Sequence, residues 1–166
     1  KTVSPADRIV QIMMINVGFG TILAALGATP VSILPPIMVA LGYSTTVAIA
    51  LPAIGYDALC TYALLGIPVV IFANFFGLPL NEVGIHFARF MPFITTGIAL
   101  GMLWIVGKGK MLLRGAPAAV LAGVTAGFVA IGMNAANLVP LTGIAGGLAV
   151  ILVMVLMLKL RGRKIV

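Results

Sequence analysis

The sequence has very few of the side chains that keep a protein surface wet. Of its 166 residues only 8% are charged and 62% are hydrophobic, and the mean hydropathy is +1.26. A soluble domain carries roughly a quarter of its residues as charged side chains. The shortage excludes a soluble globule of this size and predicts that the apolar side chains face a lipid bilayer.

Reactive and metal-binding side chains are equally scarce. There is one cysteine, Cys60, one histidine, His86, and three acidic residues in all. One cysteine excludes an intramolecular disulfide, and one histidine with one cysteine cannot form a metal-ligand cluster. The sequence also contains no Ser-His-Asp set, no phosphate-binding loop and no dinucleotide fingerprint. We therefore expect no enzyme activity, no cofactor and no bound metal.

Positive charge is present, and its position matters more than the net value of +7. The basic residues cluster at the ends of apolar runs, in one short connection and in the C-terminal tail: Lys108, Lys110, Arg114, Lys159, Arg161, Arg163 and Lys164. This is the positive-inside pattern of membrane proteins, which places such segments in the cytoplasm beside anionic headgroups. We expect no nucleic-acid partner.

The apolar runs predict an all-α, polytopic transmembrane protein with broken or re-entrant helices, one portion of a secondary-transporter fold. A helical crossing needs about 20 apolar residues. Three regions are predicted: a broken-helix region over 1–76 with the substrate site, an interfacial amphipathic helix over 77–90, and three transmembrane helices over 91–166 with a basic cytoplasmic loop and tail. The three helices are expected near Met91–Gly107, Ala116–Ala136 and Leu141–Leu158.

The first expected break lies at Gly27-Ala28-Thr29-Pro30. Gly27 suits the end of one helix, and Thr29-Pro30 suits the start of the next. If this break lies within the membrane, the free amide groups at Pro30 and the Thr29 hydroxyl would bind a carboxylate. The alternative is an ordinary turn, because Ile9–Leu26 is already long enough to cross. A second Gly-x-Pro, at Gly66 to Pro68, is interpreted as a common kink.

Asp57 is the acidic residue inside an apolar run. Because a charged carboxylate in the bilayer is costly, Asp57 should face a polar cavity or be protonated. Burial raises the pKa of a carboxyl group, which suits a proton-coupling residue. The equally weighted alternative is a helix cap near the interface. The polar groups around it, proposed to bind substrate, are Tyr56, Thr61, Tyr62 and Asn74.

Other polar residues are interpreted structurally. Glu82, His86 and Arg89 share one helix face and are expected to form a solvated surface. Asn134 and Asn137 are expected to cap the helix that begins at Ala116.

Three stretches resemble the L-lactate permease family: Phe19 to Val31 with Leu41-Gly42-Tyr43, then Ala63-Leu64-Leu65-Gly66-Ile67-Pro68-Val69, and Arg89-Phe90-Met91-Pro92-Phe93. They are similar to the family's FG-x-x-L-E-G-A-A-G-F-G-T/A-P-V with G-L-G-F, to the end of N-T-A-P-V-x-F-G-A-x-G-I-P, and to R-x-x-P-F. The likeness covers most of the chain and the central-to-C-terminal part of a family member. Two departures mark a divergent relative: Ala24 replaces the family glutamate, and 56–64 replace N-T-A-P-V-x-F-G-A.

The resemblance implies a permease in a cell membrane (the inner membrane of a prokaryote) that takes up lactate, glycolate or similar 2-hydroxy acids with protons. Asp57 would carry the proton, or alternatively coordinate sodium. Expected partners are the organic anion, the bilayer, and the remaining portion of the transporter or a second copy. The alternative function is a non-transporting scaffold subunit of a larger membrane complex.

Overall fold

The structure, a computed structural model, describes residues 5–55 and 60–160, with side chains from residue 8 onward. All of the regular elements within these ranges are helices, which confirms the predicted all-α class. Tyr56 and Asp57 lie outside the described residues.

The first helix, α1, consists of three consecutive segments: α-helical Pro5–Ile12, π-helical Met13–Phe19 and α-helical Gly20–Ala25. At the end of the π-helical segment the Gly20 amide donates to the carbonyl oxygen of Ile15, five residues back. π-Helical stretches are rare and often mark functional sites. This irregularity therefore directs attention to the middle of α1.

The predicted break after α1 is confirmed as a helix boundary. The helix ends at Ala25, Gly27 adopts the left-handed conformation with φ +81°, and α2 (Pro30–Ala40) begins after extended Thr29. A turn then leads into α3 (Thr45–Gly55). A 3₁₀ turn, Cys60–Tyr62, follows and leads into α4 (Ala63–Phe76).

The predicted kink at Gly66 to Pro68 is present, and its backbone is left-handed. Leu64, Leu65 and Gly66 all have positive φ, at 51°, 57° and 81°, so the chain makes a left-handed turn before Pro68. Left-handed backbone costs an L-residue roughly 1–2 kcal/mol. The surrounding packing must hold this turn in place, and the carbonyl of Val139 lies 3.3 Å from the position of a Cβ on Gly66.

The longest element, α5 (Leu80–Ala135), folds back on itself at Gly107 and Lys108, whose φ values are −148° and +49°. We call its two halves the first arm, 80–106, and the second arm, 109–135. The predicted boundary at residue 90 is not there, because the helix continues through Pro92. The missing N–H and the ring of Pro92 face Gly127, which has no side chain to exclude them. The predicted amphipathic segment is therefore the start of a longer helix.

The two arms pack antiparallel at very short range. A Cβ on Gly123 would lie 2.6 Å from the amide nitrogen of Thr96, and one on Gly127 would lie 2.5 Å from that of Pro92. At the two ends of the pair, Gly115 contacts Leu103 and Gly84 contacts Asn134. Small residues of this kind let the backbones of membrane helices approach closely.

The last helix, α6 (Thr142–Leu160), follows a 3₁₀ turn, Val139–Leu141, and packs antiparallel to α1. A Cβ on Gly143 would lie 2.7 Å from Ala25 Cβ, and one on Gly18 would lie 2.6 Å from Ile151 Cγ1. The helices therefore share two ends. One end, which we call the basic end, holds Lys108, Lys110, Arg114 and Lys159 together with the start of α1, since Ile9 packs near Gly115. The other, the turn end, holds residues 136–141.

We expect Gly123→Ala to destabilise the protein, because the added methyl group would meet the Thr96 backbone as well as its hydroxyl, and the backbone cannot rotate away. Overpacking of this kind costs about 1–3 kcal/mol. The matched control is Gly132→Ala on the same arm, where a Cβ meets nothing within 4 Å. There the higher helix propensity of alanine should leave stability unchanged or raised. Thermal unfolding of detergent-purified protein measures both, and equal midpoints would refute the packing argument.

Candidate functional site

The last residue of α3 that the structure describes before Cys60 is Gly55, and it lies partway along α1 rather than at the basic end or the turn end. A Cβ on its last residue, Gly55, would lie 3.3 Å from both Asn16 Cβ and Asn16 O, and 2.8 Å from Met102 Cε. Asn16 occupies the middle of the π-helical segment of α1. The end of α3 is thus enclosed between α1 and the first arm of α5.

The start of α3 lies at the basic end. Just before it, the hydroxyl of Tyr43 donates to the carbonyl of Arg8 at 3.3 Å, and the Arg8 guanidinium lies 5.7 Å from the Tyr43 ring centroid. Burial raises the pKa of Tyr43 to about 12, so its hydroxyl stays protonated as a donor. α3 has 11 residues and is about 16 Å long, about half of the ~30 Å hydrocarbon core. Gly55 therefore lies about halfway along α1, beside Asn16.

Asn16 is the polar side chain at this point, and it is only 1% exposed. Its Nδ2 donates to the carbonyl of Ile12 at 3.3 Å and approaches the sulfur of Met38 on α2 at 3.8 Å. Its Oδ1 is buried and has no hydrogen-bond partner. A buried acceptor without a partner costs about 1–3 kcal/mol, so it needs a functional explanation.

The chemistry of this point favours hydrogen-bond donors, because the unpartnered Oδ1 of Asn16 is an acceptor. Gly55, the last residue of α3 that the structure describes before Cys60, lies against Asn16. We call Asn16, Gly55, Met38 and Met102 the mid-helix site.

The break at Gly27 to Pro30 lies at the end of α1, away from this site. It follows Arg8–Ala25, which is itself long and apolar enough to cross a membrane. Ala25 lies level with Gly143, one residue inside the start of α6, and Gly27 contacts Leu64. Thr29 and Pro30 follow this long helix in a turn, and the expectation that they lie inside the lipid core stays a prediction. Thr29 is exposed, and its side chain caps no amide of α2.

A second buried polar cluster holds Tyr62. Its ring is fully buried, and its hydroxyl donates to the carbonyl of Gly84 at 2.8 Å. Beside it Asn134, also fully buried, donates from Nδ2 to Ala130 O at 2.7 Å and to Thr142 Oγ1 at 3.2 Å. Asn134 is therefore no helix cap, which corrects that prediction. The residue that ends the helix in a left-handed turn is Asn137, with φ +59°.

The remaining predicted site residues are dispersed. Thr61 is half-buried in the 3₁₀ turn after the mid-helix site, whereas Asn74 is exposed on α4. Glu82, His86 and Arg89 are exposed, in agreement with the predicted polar surface.

Sequence reasoning missed Asn16 although a signal was present. Asn16 is a single amide within an otherwise apolar stretch, Ile12 to Val17. The same argument that selected Asp57, the cost of an isolated polar group in lipid, applies to it. The π-helical geometry and the contact with Gly55 have no counterpart in the sequence pattern.

These features define a class of protein. Three helices of the described residues are long and apolar enough to cross a membrane, and a fourth span is reached if Thr45–Gly55 and Cys60–Phe76, bent by 65°, count as one. Both arms of α5 exceed the ~20 residues of a crossing, and the reversal at Gly107 makes them two crossings. The fold is that of a multi-pass helical membrane protein with an interrupted helix, the architecture in which transporters place their sites.

The chain belongs to the L-lactate permease family, whose model matches residues 1–166. It is 30% identical to the L-lactate permease of Bacillus subtilis (strain 168) over 122 residues, which cover 72% of this chain and 22% of that protein. It is 28% identical to the glycolate permease GlcA of Escherichia coli (strain K12) over 120 residues, 70% of this chain and 21% of that one. The chain thus spans about a fifth of these relatives. No solved structure matches it.

The position of Thr29 relative to the membrane can be tested by labelling. In a Cys60→Ser background, we expect Thr29→Cys and Lys108→Cys to react with a membrane-impermeant maleimide from opposite sides of the membrane. The physical reason is that the two residues lie at opposite ends of the helices. The measurement compares labelling in intact cells with labelling in inside-out vesicles. If Thr29→Cys resists the reagent from both sides, the break lies inside the membrane after all.

Tyr62→Phe should lower stability, because it removes the buried hydrogen bond from the Tyr62 hydroxyl to the Gly84 carbonyl. Loss of such a bond costs about 0.5–1.5 kcal/mol. Thermal unfolding in detergent measures the loss. Thr61→Val, half-buried in the same turn, is the control and should unfold near the wild-type temperature. A Tyr62→Phe variant with normal stability but a raised KM would instead make Tyr62 a substrate ligand.

Proposed function

We propose that this chain forms part of a permease for small organic anions such as lactate or glycolate, driven by proton symport. Two observations support a transporter of small organic acids: membership in the L-lactate permease family and the names of the two relatives, an L-lactate permease and a glycolate permease. By the same reasoning the chain is not an enzyme, and its medium is the lipid bilayer.

The observation that carries the proposal is a bent pair of short apolar helices enclosed by longer ones. α3 begins at the basic end and its Gly55 lies against Asn16, and the next described segment, Cys60–Phe76, is bent from it by 65°. Irregular backbone at membrane depth is tolerated only where protein encloses it or where it lines a cavity. Secondary transporters bind substrate and coupling ion at such interruptions. A purely scaffolding subunit has no need of one.

Asp57 is proposed as the coupling residue because it follows Gly55 by two positions in the sequence. A carboxyl group at this depth is costly to ionise and readily protonated, which is what proton coupling requires. Sodium is the alternative coupling ion, since an ionised carboxylate and helix carbonyl groups would coordinate it.

The substrate site is proposed to adjoin the same break. Tyr56 and Thr61 flank it in the sequence and offer hydroxyl donors for a carboxylate. The single proton of Tyr62 is already donated to Gly84, so Tyr62 is proposed to brace the turn. We propose that the approach to the site, rather than the substrate contacts themselves, is formed by Thr29, Pro30 and Asn74, since Thr29 and Asn74 are exposed. The basic end is proposed to face the cytoplasm.

Asp57→Asn should abolish accumulation of labelled L-lactate driven by a proton gradient, because the amide cannot take up and release the proton. Membrane vesicles prepared from cells that express the full-length protein provide the measurement, with a pH gradient imposed across the membrane. Counterflow exchange of labelled for unlabelled lactate, which needs no net proton movement, is the control and should persist. A Glu82→Gln variant at an exposed position should accumulate lactate as the wild type does.

Undiminished accumulation by Asp57→Asn would remove the residue from coupling. If accumulation follows a sodium gradient and ignores the pH gradient, the coupling ion is sodium. If the wild type moves neither lactate nor glycolate, the scaffold alternative replaces the transporter.

A further inference from the structure

We propose that Asn16 binds the 2-hydroxyl group of the transported acid and so selects 2-hydroxy acids over simple carboxylates. The inference rests on the proposed transport function and assigns a role within it to a residue of the mid-helix site. It starts from the unpartnered Oδ1 of Asn16, which is buried to 1% exposure.

The orientation of the amide decides which kind of group it binds. Nδ2 is turned toward the carbonyl of Ile12 and the sulfur of Met38, both acceptors, so the free atom is the acceptor Oδ1. A carboxylate, itself only an acceptor, would be repelled here. A hydroxyl group can donate its proton to Oδ1.

The bonds of Asn16 are weak by comparison with a structural asparagine in the same protein. The amide nitrogen of Asn134 makes two bonds of 2.7 and 3.2 Å. The bonds of the Asn16 amide nitrogen measure 3.3 and 3.8 Å, and the longer one goes to a sulfur, a weak acceptor. The Oδ1 atoms of both residues are buried without a hydrogen-bond partner, so the two amides differ in how firmly the nitrogen side is held.

The surroundings of Asn16 also suit this ligand. Met38, Met102 and Gly55 provide flexible thioether chains and a position without a side chain. Methionine adapts its shape to irregular apolar groups. L-lactate and glycolate, named for the two relatives, share a carboxylate and a 2-hydroxyl and differ by one methyl group. A hydroxyl bound by a buried amide is the feature that both acids would present.

A site built to bond a substrate hydroxyl strongly rejects analogues that lack it, because the buried acceptor is then left unpaired. The full-length wild type should therefore take up labelled L-lactate with strong inhibition by glycolate and weak inhibition by propionate and acetate. We expect Asn16→Ala to raise the KM for L-lactate about tenfold or more, which is about 1.4 kcal/mol. The inhibition constant of propionate should change less than about twofold, so the selectivity ratio should collapse.

Two further variants separate recognition from folding. Asn16→Ser keeps an oxygen acceptor and should retain part of the selectivity for L-lactate over propionate. Asn134→Ala removes the structural asparagine and should lower the unfolding temperature while leaving the selectivity ratio of the folded fraction unchanged. Membrane levels by immunoblot and unfolding midpoints accompany each uptake measurement.

Several results would overturn the proposal. Equal losses of L-lactate and propionate affinity in Asn16→Ala would show a general effect on the site, and failure of both Asn16 variants to reach the membrane would show a structural role. A wild type that binds propionate as tightly as L-lactate would overturn the proposal without any variant. A changed sodium dependence with unchanged selectivity would assign Asn16 to a cation. Absence of lactate and glycolate uptake in the wild type would instead remove the underlying transport function.

Discussion

The structure depends on one constraint: every backbone polar group inside a bilayer must find its partner within the protein. Complete helices meet it by themselves, but α3 (Thr45–Gly55) and the segment Cys60–Phe76 are bent by 65° relative to each other, and Gly55 lies about halfway along α1. The fold encloses that end between the π-helical segment of α1 and the first arm of α5, through Asn16 and Met102. Irregular backbone would be too costly in contact with lipid, and here it is enclosed by protein.

Glycine makes this enclosure possible by allowing helices to approach without side chains between them. Gly123 and Gly127 join the two arms of α5, while Gly18 and Gly147 join α1 to α6. In lipid no hydrophobic effect drives helices together, so close van der Waals packing has to do so. The result is a frame of four crossings around the interrupted helix. The irregular parts of this closely packed frame are the left-handed turn at Leu64 to Gly66 and the bend between Thr45–Gly55 and Cys60–Phe76.

Much of this could be inferred from residues alone, since the relevant signals are local. The apolar runs predicted a membrane protein. Gly27 and Pro30 predicted the boundary between α1 and α2, and the basic residues indicated one end of the helices. The candidate site was predicted only in part. The roles of Asp57 and Thr29 stay predictions, and a helix boundary such as Gly27 to Pro30 looks the same in sequence at the membrane surface and at its centre. Asn16 carries a signal as a single amide in an apolar stretch, but its contact with Gly55 is not visible along the chain.

The amino-acid sequence by itself therefore determined the solvent of this protein, the positions of its helices and the family to which it belongs. These follow from composition, from the ~20-residue length of a crossing and from motifs within one stretch of chain. Tertiary structure alone decided where α3 lies along α1 and that the amide oxygens of Asn16 and Asn134 are buried without a hydrogen-bond partner. Depth and hydrogen-bond satisfaction are relations between residues far apart in sequence, such as Asn16 with Gly55 or Tyr62 with Gly84, and only packing brings those residues together.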